Sequence, residues 1–287
     1  MSSSDASGYL SLHEAADLLG VHYMTVYRRV RLGILPARKI GGTWSVDRAD
    51  LQPPTTTPER GRRRQGASQP RVSTWQERLK ARMLAGDIAG SWQVIEAAMA
   101  SGFEPGDIYV RLLAPSLHAI GASWRSGRVS IDQEHLASSV ATSLIGRLGP
   151  RFLRPGRKKG VVIVAMPPGE RHGLGVAMVA DILRDAGYDV RNLGPDTPPS
   201  SLVDAMREAG PLAAVVVSVV DIELRTAARR LLTAARRERP SVPRLVGGNA
   251  VPDERVALDL GADGWVADPR RLGELIETLR ARLADRV

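Results

Sequence analysis

From Val161 onward the chain repeats one pattern: a short apolar run, a turn, then a stretch with apolar residues three and four apart. The runs are Val161 to Met166, Asp189 to Leu193, Ala213 to Ser218, Arg244 to Val246 and Gly264 to Val266, and the intervening helices read as 174–186, 200–209, 223–238, 253–259 and 271–285. Strands alternating with helices in this way predict a doubly wound α/β domain over residues 156–287, with a parallel five-stranded sheet covered on both faces. Upstream, from Thr74 to Phe152, only the helical period survives. Helices are expected near 74–85, 89–101, 105–124 and 131–148, broken at Gly86-Asp87, Gly102 and Ser126-Gly127, with Leu112, Leu113, Leu117 and Ile120 on one stripe. Four helices joined by short loops predict a four-helix bundle over residues 74–155.

The first 52 residues follow a third pattern. Ser11-Leu12-His13-Glu14 reads as a capping box that opens a helix through Ala15, Ala16, Leu18 and Leu19. Gly20 makes a turn, and Val21 to Leu32 forms a second helix with Val26 and Val30 inward and His22, Tyr23, Thr25, Arg28 and Arg29 outward. Ala37 to Ile40, Gly41-Gly42 and Thr43 to Val46 then make a two-stranded wing around a glycine turn. A short helix, a turn and a second helix with polar and basic side chains outward form a helix-turn-helix, whose second helix fits the DNA major groove. Pro53-Pro54-Thr55-Thr56-Thr57-Pro58 and the arginines at 60 and 62–64 have no apolar period, so 53–73 reads as a flexible linker. Its arginines serve equally as non-specific phosphate contacts or as a solubilising hinge.

Charge supports this division. The chain of 287 residues carries 40 Lys and Arg against 31 Asp and Glu, a net charge of +9, which favours a polyanionic partner. There is no cysteine, so disulfides and thiolate metal sites are excluded, and the five histidines, His13, His22, His118, His135 and His172, are the whole imidazole supply. No apolar run approaches the roughly twenty residues a bilayer crossing needs, and the N-terminus has no signal-like core, so the expectation is a cytoplasmic protein without a membrane partner. No arrangement of nucleophile, base and orienting group argues for a self-contained enzyme.

The sharpest chemical signal is Glu170-Arg171-His172-Gly173-Leu174-Gly175, on the loop after the first predicted strand of the sheet. Ligands of open α/β sheets bind outside the carboxyl ends of the strands, where this loop falls. Taken alone, the six residues fit a turn histidine capping a helix as well as a ligand. Ser218-Val219-Val220 closes the third strand and Gly247-Gly248 follows the fourth, which puts a hydroxyl and a backbone free of Cβ atoms at neighbouring strand ends.

The three signals, in this order, resemble the E-x-H-x-x-G, S-x-L and G-G motifs of flavodoxin-like cobalamin-binding domains, with Val220 in place of the leucine. The resemblance implies that His172 supplies a nitrogen to cobalt as lower ligand, that Glu170 holds the other ring nitrogen, and that Gly175, Ser218, Gly247 and Gly248 line the cofactor. Trp124, nine residues and Glu134-His135 resemble the W-x(9)-E-H pattern of the helical cap in CarH-like photoreceptors, implying a pocket for the adenosyl group built from Trp124, Glu134 and His135. Trp75 and Trp92 read instead as core or surface anchors. Residues 9–51 resemble the compact winged helices of the excisionase and MerR-related group, which implies groove contacts from Tyr23, Thr25, Arg28 and Arg29 and phosphate or minor-groove contacts from Lys39, Thr43 and Trp44.

Together these resemblances imply an adenosylcobalamin-dependent, light-responsive transcription regulator, a homo-oligomer (dimer or tetramer) on double-stranded DNA. One departure stands out. Light-responsive relatives have a histidine directly after the tryptophan, where this chain has Arg125, a very poor cobalt ligand. Either water or another residue, with His118 the available candidate, completes the lit state, or the protein senses cobalamin without a second histidine ligand. The alternatives are a corrinoid methyl carrier of a methyltransferase system and a DNA-binding module whose effector domain has lost its cofactor.

Overall fold

The computed structural model describes residues 9–19, 21, 23–31, 35–40, 42–51 and 71–284, without the side chains of Arg28, Arg29 and Arg31. Two compact units lie on either side of residue 66. The first opens with β1 (Tyr9–Ser11), followed by α1 (Leu12–Leu19), α2 (Tyr23–Arg31), β2 (Ala37–Ile40), β3 (Thr43–Asp47) and a short 3-10 turn at Arg48–Leu51. The capping box forms as expected: Glu14 Oε2 accepts from the Ser11 amide at 2.8 Å, and Ser11 Oγ accepts from the Glu14 amide at 3.3 Å. β2 and β3 pair antiparallel with Lys39 opposite Trp44 and Ile40 opposite Thr43, and Gly42 takes φ +85°, a conformation that favours glycine. The sheet has three strands in the order β1-β3-β2, one more than the expected wing. Only three residues long, β1 is too short to show a period of its own, and what makes it a strand is its partner β3.

In the second unit α3 (Val72–Leu84) begins two residues earlier than expected, taking in Val72 and Ser73, which the sequence placed in the linker; residues 53–70 of that linker lie outside the described residues. α4 (Ile88–Ala100) follows, its first turn capped by Asp87 accepting from the Gly90 amide at 2.7 Å. The expected helix 105–124 appears as α5 (Pro105–Asp107), a π-helical turn Ile108–Leu113 and α6 (Ala114–Arg125) in continuous succession. Pro115 has no N–H to give the carbonyl of Arg111, and Gln76 Nε2 donates to that carbonyl at 2.7 Å instead, so the widened turn has a covalent cause. α7 (Ile131–Leu148) completes the bundle. Trp75 and Trp92 sit in its core with Leu79, Ile95, Leu112 and Leu144.

The sheet has four strands, β4 (Val161–Ala165), β5 (Asp189–Gly194), β6 (Leu212–Ser218) and β7 (Arg244–Gly247), all parallel in the order β5-β4-β6-β7. The expected fifth strand at Gly264 is reduced to a single parallel bridge from Gly264 to Leu245. A side chain displaces the ladder there: the Asp263 carboxylate takes the Arg244 amide at 2.8 Å and its guanidinium at 2.6 Å. Trp265 then turns its indole N–H to the Val251 carbonyl. Five helices follow the strands, α8 (Gly173–Asp185), α9 (Pro199–Glu208), α10 (Arg225–Glu238), α11 (Glu254–Asp259) and α12 (Leu272–Ala284). α9 and α10 cover one face of the sheet, and α8 and α12 the other.

α8 is buried on both sides. Val176, Ala180 and Leu183 face the sheet, while Met178 and Ile182 join the core of the helical bundle. Tyr109, from the π-helical turn, donates to Asp181 of α8 at 2.7 Å and stacks on Phe152 at 4.8 Å. Burial and the Asp181 carboxylate push the Tyr109 phenol well above its ordinary pKa, so it stays a donor. The bundle is therefore held to the helix that begins directly after His172. No helix among the described residues is long and apolar enough to cross a membrane.

Candidate functional site: a carboxylate-held histidine at the sheet edge

β4 ends at Ala165, and the loop 166–172 crosses the carboxyl edge of the sheet before α8 begins, with His172 as the N-cap residue. The Glu170 side chain is 0% exposed, and the His172 side chain beside it is 65% exposed. Glu170 Oε1 accepts from His172 Nδ1 at 2.5 Å and from the amides of Arg171 and His172 at 3.0 and 3.2 Å. Its other oxygen accepts from the amides of Val220 and Asp221, at 2.7 and 2.9 Å. Burial opposes ionisation of this carboxyl, but the Asp221 amide, the His172 ring and the amides of Val220 and His172 outweigh it and hold the pKa at about 2. A permanent carboxylate thus takes the Nδ1–H of His172, fixing the tautomer in which Nε2 is an open lone pair facing outward. Imidazoles that ligate metals are commonly arranged in this way.

A second loop clasps the first. Asp196 Oδ1 accepts from the Gly169 amide at 2.8 Å, the Asp196 amide donates to the Glu170 carbonyl at 3.2 Å, and the Thr197 amide donates to the Met166 carbonyl at 2.9 Å. Asp196 has φ +54°, and it is the single non-glycine residue at positive φ among the described residues. The strain is local and modest for an Asp, and it lies beside the exposed histidine. Sequence reasoning passed over Asp196 and the amides of Val220 and Asp221. Gly194-Pro195-Asp196 carried a turn signal, but backbone donors carry none.

Ser218 is buried at the end of β6 and pairs with Gly247, and its hydroxyl makes no hydrogen bond among the described residues. A Cβ on Gly247 or on Gly175 would meet open space, so both leave room beside the loop. Gly248 differs: at φ +101° its Cβ would sit 2.3 Å from the Val219 carbonyl oxygen. There glycine is demanded by the fold itself. The site therefore offers an exposed, tautomer-locked imidazole, the hydroxyl of a largely buried serine and side-chain-free backbone along one sheet edge. These residues fit a large, flat metal complex with an extended tail.

The other candidates lie in separate places. Trp124 lies in the last turn of α6 and is 45% exposed; Glu134 and His135 lie in the first turns of α7, on the far side of the loop 126–130. Glu134 accepts from Ser138 Oγ at 2.8 Å and lies 3.8 Å from His135 Nε2. No hydrogen bond or ion pair joins these three to His172 among the described residues. His118 and Arg125 are both exposed on α6. In the N-terminal unit Thr25, Lys39 and Thr43 are exposed, whereas Tyr23 is half-buried, its ring 4.1 Å from that of His13 and 6.1 Å from that of Tyr27. Lys39 lies over the Trp44 ring at 5.5 Å. The Arg28 and Arg29 side chains, and His22, lie outside the described residues.

Two B12 binding domain models match, one over residues 160–271 and one over 75–148, and a helix-turn-helix domain model matches residues 9–52. The solved monomethylamine corrinoid protein of Methanosarcina barkeri aligns with a TM-score of 0.62 over 72% of this chain and 99% of that one, at 18% identity, a likeness of fold. Monomethylamine corrinoid protein 2 of Methanosarcina acetivorans is 24% identical over 193 residues, 65% of this chain and 88% of that protein. Fold and site thus define a protein with B12-binding domains behind a helix-turn-helix domain. The HTH-type transcriptional repressor CarH of Myxococcus xanthus is 31% identical over 212 residues, 70% of this chain and 69% of that protein. The chain belongs to the CarH family.

Proposed function

We propose that this protein is a cytoplasmic transcription regulator that binds adenosylcobalamin, and that the state of the cofactor, changed by light, controls assembly into a dimer or tetramer and hence affinity for double-stranded operator DNA. The observation that carries the reading is His172, with Nδ1 tied to a buried carboxylate and Nε2 free. His172 is the lower ligand to cobalt, and Glu170 fixes its ring. Gly175, Ser218, Gly247 and Gly248 accommodate the nucleotide tail, while Trp124, Glu134 and His135 form the adenosyl pocket on the bundle. Bound adenosylcobalamin would supply a cobalt–carbon bond that light breaks. The protein's own part is to link that event to the bundle, and α8 provides the link, since it starts directly after His172 and lays Met178 and Ile182 in the bundle core. Tyr23, Thr25, Arg28 and Arg29 are assigned to the major groove, and Lys39, Thr43 and Trp44 to the backbone or minor groove. Several small DNA-binding units joined in one oligomer gain effective concentration on repeated half-sites.

The test is size-exclusion chromatography with absorbance detection of protein mixed with adenosylcobalamin, in the dark and after green light. A coloured oligomer in the dark that becomes smaller after light supports the whole reading, and His172→Ala should weaken the binding or alter its spectrum. A colourless protein peak overturns it. Arg125, where light-responsive relatives have histidine, favours one second reading, a corrinoid methyl carrier. A complex of unchanged size after light, together with a methylcobalamin-loaded form that a partner methyltransferase demethylates, would establish that reading instead.

A further inference from the structure

The charge of the second unit is concentrated in α10 and the arginine that follows it. Residues 71–287 hold 30 Lys and Arg against 25 Asp and Glu, a surplus of 5; Arg225 to Arg239 alone hold six arginines and one glutamate, also a surplus of 5. The remainder of the unit is therefore neutral, 24 against 24. Within α10 the arginines are sorted by face. Ala228, Leu231, Leu232 and Ala235 are buried against the sheet, while Thr226, Arg229, Arg230, Thr233, Arg236 and Arg237 are exposed. The one acidic residue of the helix, Glu238, is turned aside and bound to Arg207 through two hydrogen bonds of 3.1 and 3.0 Å. Arg229 donates to the Asp259 carbonyl at 3.1 Å, which leaves its charge uncompensated. Arg230, Arg236 and Arg237 have no hydrogen-bond or ion-pair partner among the described residues.

We infer that this face of α10 is a second DNA-contacting surface, one that grips the phosphate backbone without reading sequence. Arg229/Arg230 and Arg236/Arg237 form two pairs seven residues apart, about 10.5 Å along the helix axis. Thr226 and Thr233 place a hydroxyl beside each pair. Arginine and threonine are side chains that meet phosphate oxygens, and the absence of a carboxylate on the face removes the usual repulsion. The inference rests on the DNA-binding reading above, because the duplex is supplied by the helix-turn-helix of the same chain. Residues 52–70 between the described parts can span at most about 65 Å, so a duplex held by the first unit stays at high local concentration around the second. Such a grip would give the effector unit a direct influence on DNA affinity in addition to the one exerted through oligomer size.

The test uses the full chain with cobalamin in the dark and a random-sequence duplex. Affinity is measured against salt for the wild type and for the variant Arg229→Gln/Arg230→Gln/Arg236→Gln/Arg237→Gln, in which glutamine keeps helix propensity. Each arginine–phosphate pairing that is removed flattens the plot of log K against log salt by about 0.9, so the expected change in slope is about 2 to 3.5, with a drop of at least about tenfold in affinity at low salt. Unchanged cobalamin absorbance and oligomer size in the variant show that the fold is intact. Identical affinity and slope in variant and wild type would overturn the inference while leaving the helix-turn-helix reading standing. A wild type that binds no duplex would overturn both. If the variant instead loses binding to phosphatidylglycerol vesicles and keeps its DNA affinity, the surface is a membrane-binding one and the inference is wrong.

Discussion

Replacing Glu170 by glutamine tests the central geometry, because it changes one atom in a side chain with five hydrogen bonds. In the native site both carboxylate oxygens accept: one from His172 Nδ1 and two amides, the other from Val220 and Asp221. A glutamine has one acceptor oxygen, so its NH2 group must point either at the histidine N–H or at two backbone N–H groups. A carboxylate held at a pKa of about 2 rather than 4.5 contributes about 3 kcal/mol to folding at neutral pH. Because the folded pKa is depressed, that contribution is present above about pH 4.5 and is lost as pH falls towards 2. Denaturant unfolding of the second unit at pH 7 should therefore show Glu170→Gln destabilised by about 2–3 kcal/mol, the lower figure allowing for the bonds that glutamine keeps. The gap between variant and wild type should narrow steadily from pH 5 to pH 2. Cobalamin absorbance should shift at the same time, since a freed His172 ring can present the wrong nitrogen. Equal midpoints at pH 7, or a gap that does not depend on pH, would refute the claim that an ionised, buried Glu170 organises the site.

Two further substitutions probe its supports. Gly248→Ala forces a Cβ against the Val219 carbonyl at a backbone angle that L residues rarely adopt, so the stability to unfolding should drop by on the order of 3 kcal/mol, and cobalamin uptake should fall with it. A stable Gly248→Ala protein that binds normally would show that this turn relaxes easily. Tyr109→Phe removes the bond to buried Asp181 and should cost about 1–2 kcal/mol in thermal or denaturant unfolding. Combined with Asp181→Asn, the two effects should be less than additive, and simple additivity would mean that the pair does not couple the bundle to α8.

The lesson for sequence reading lies in particular elements. The β4, β5, β6 and β7 strands, the helices between them and the capping box at Ser11 and Glu14 were all legible, because each follows from a local period or from the side-chain chemistry of one short segment. His172 and Glu170 were legible as a pair two residues apart. What the pair does was not. The carboxylate is ionised because the amides of Val220 and Asp221 arrive from the far end of β6, fifty residues later, and amide donors are the same in every sequence.

By itself, then, the sequence determined the alternation of β4 to β7 with their helices, the helical period of residues 74–148, and that an imidazole follows the first strand of the parallel sheet. Tertiary structure alone decided that Gly264 makes one bridge instead of a strand, that Tyr9 to Ser11 adds a strand to the wing, and that α8 is shared by bundle and sheet. The division has a physical reason: periodicity and capping act within a few residues, whereas a carboxylate that outcompetes a ladder, or a strand formed only by its partner, depends on groups that folding alone brings within 3 Å.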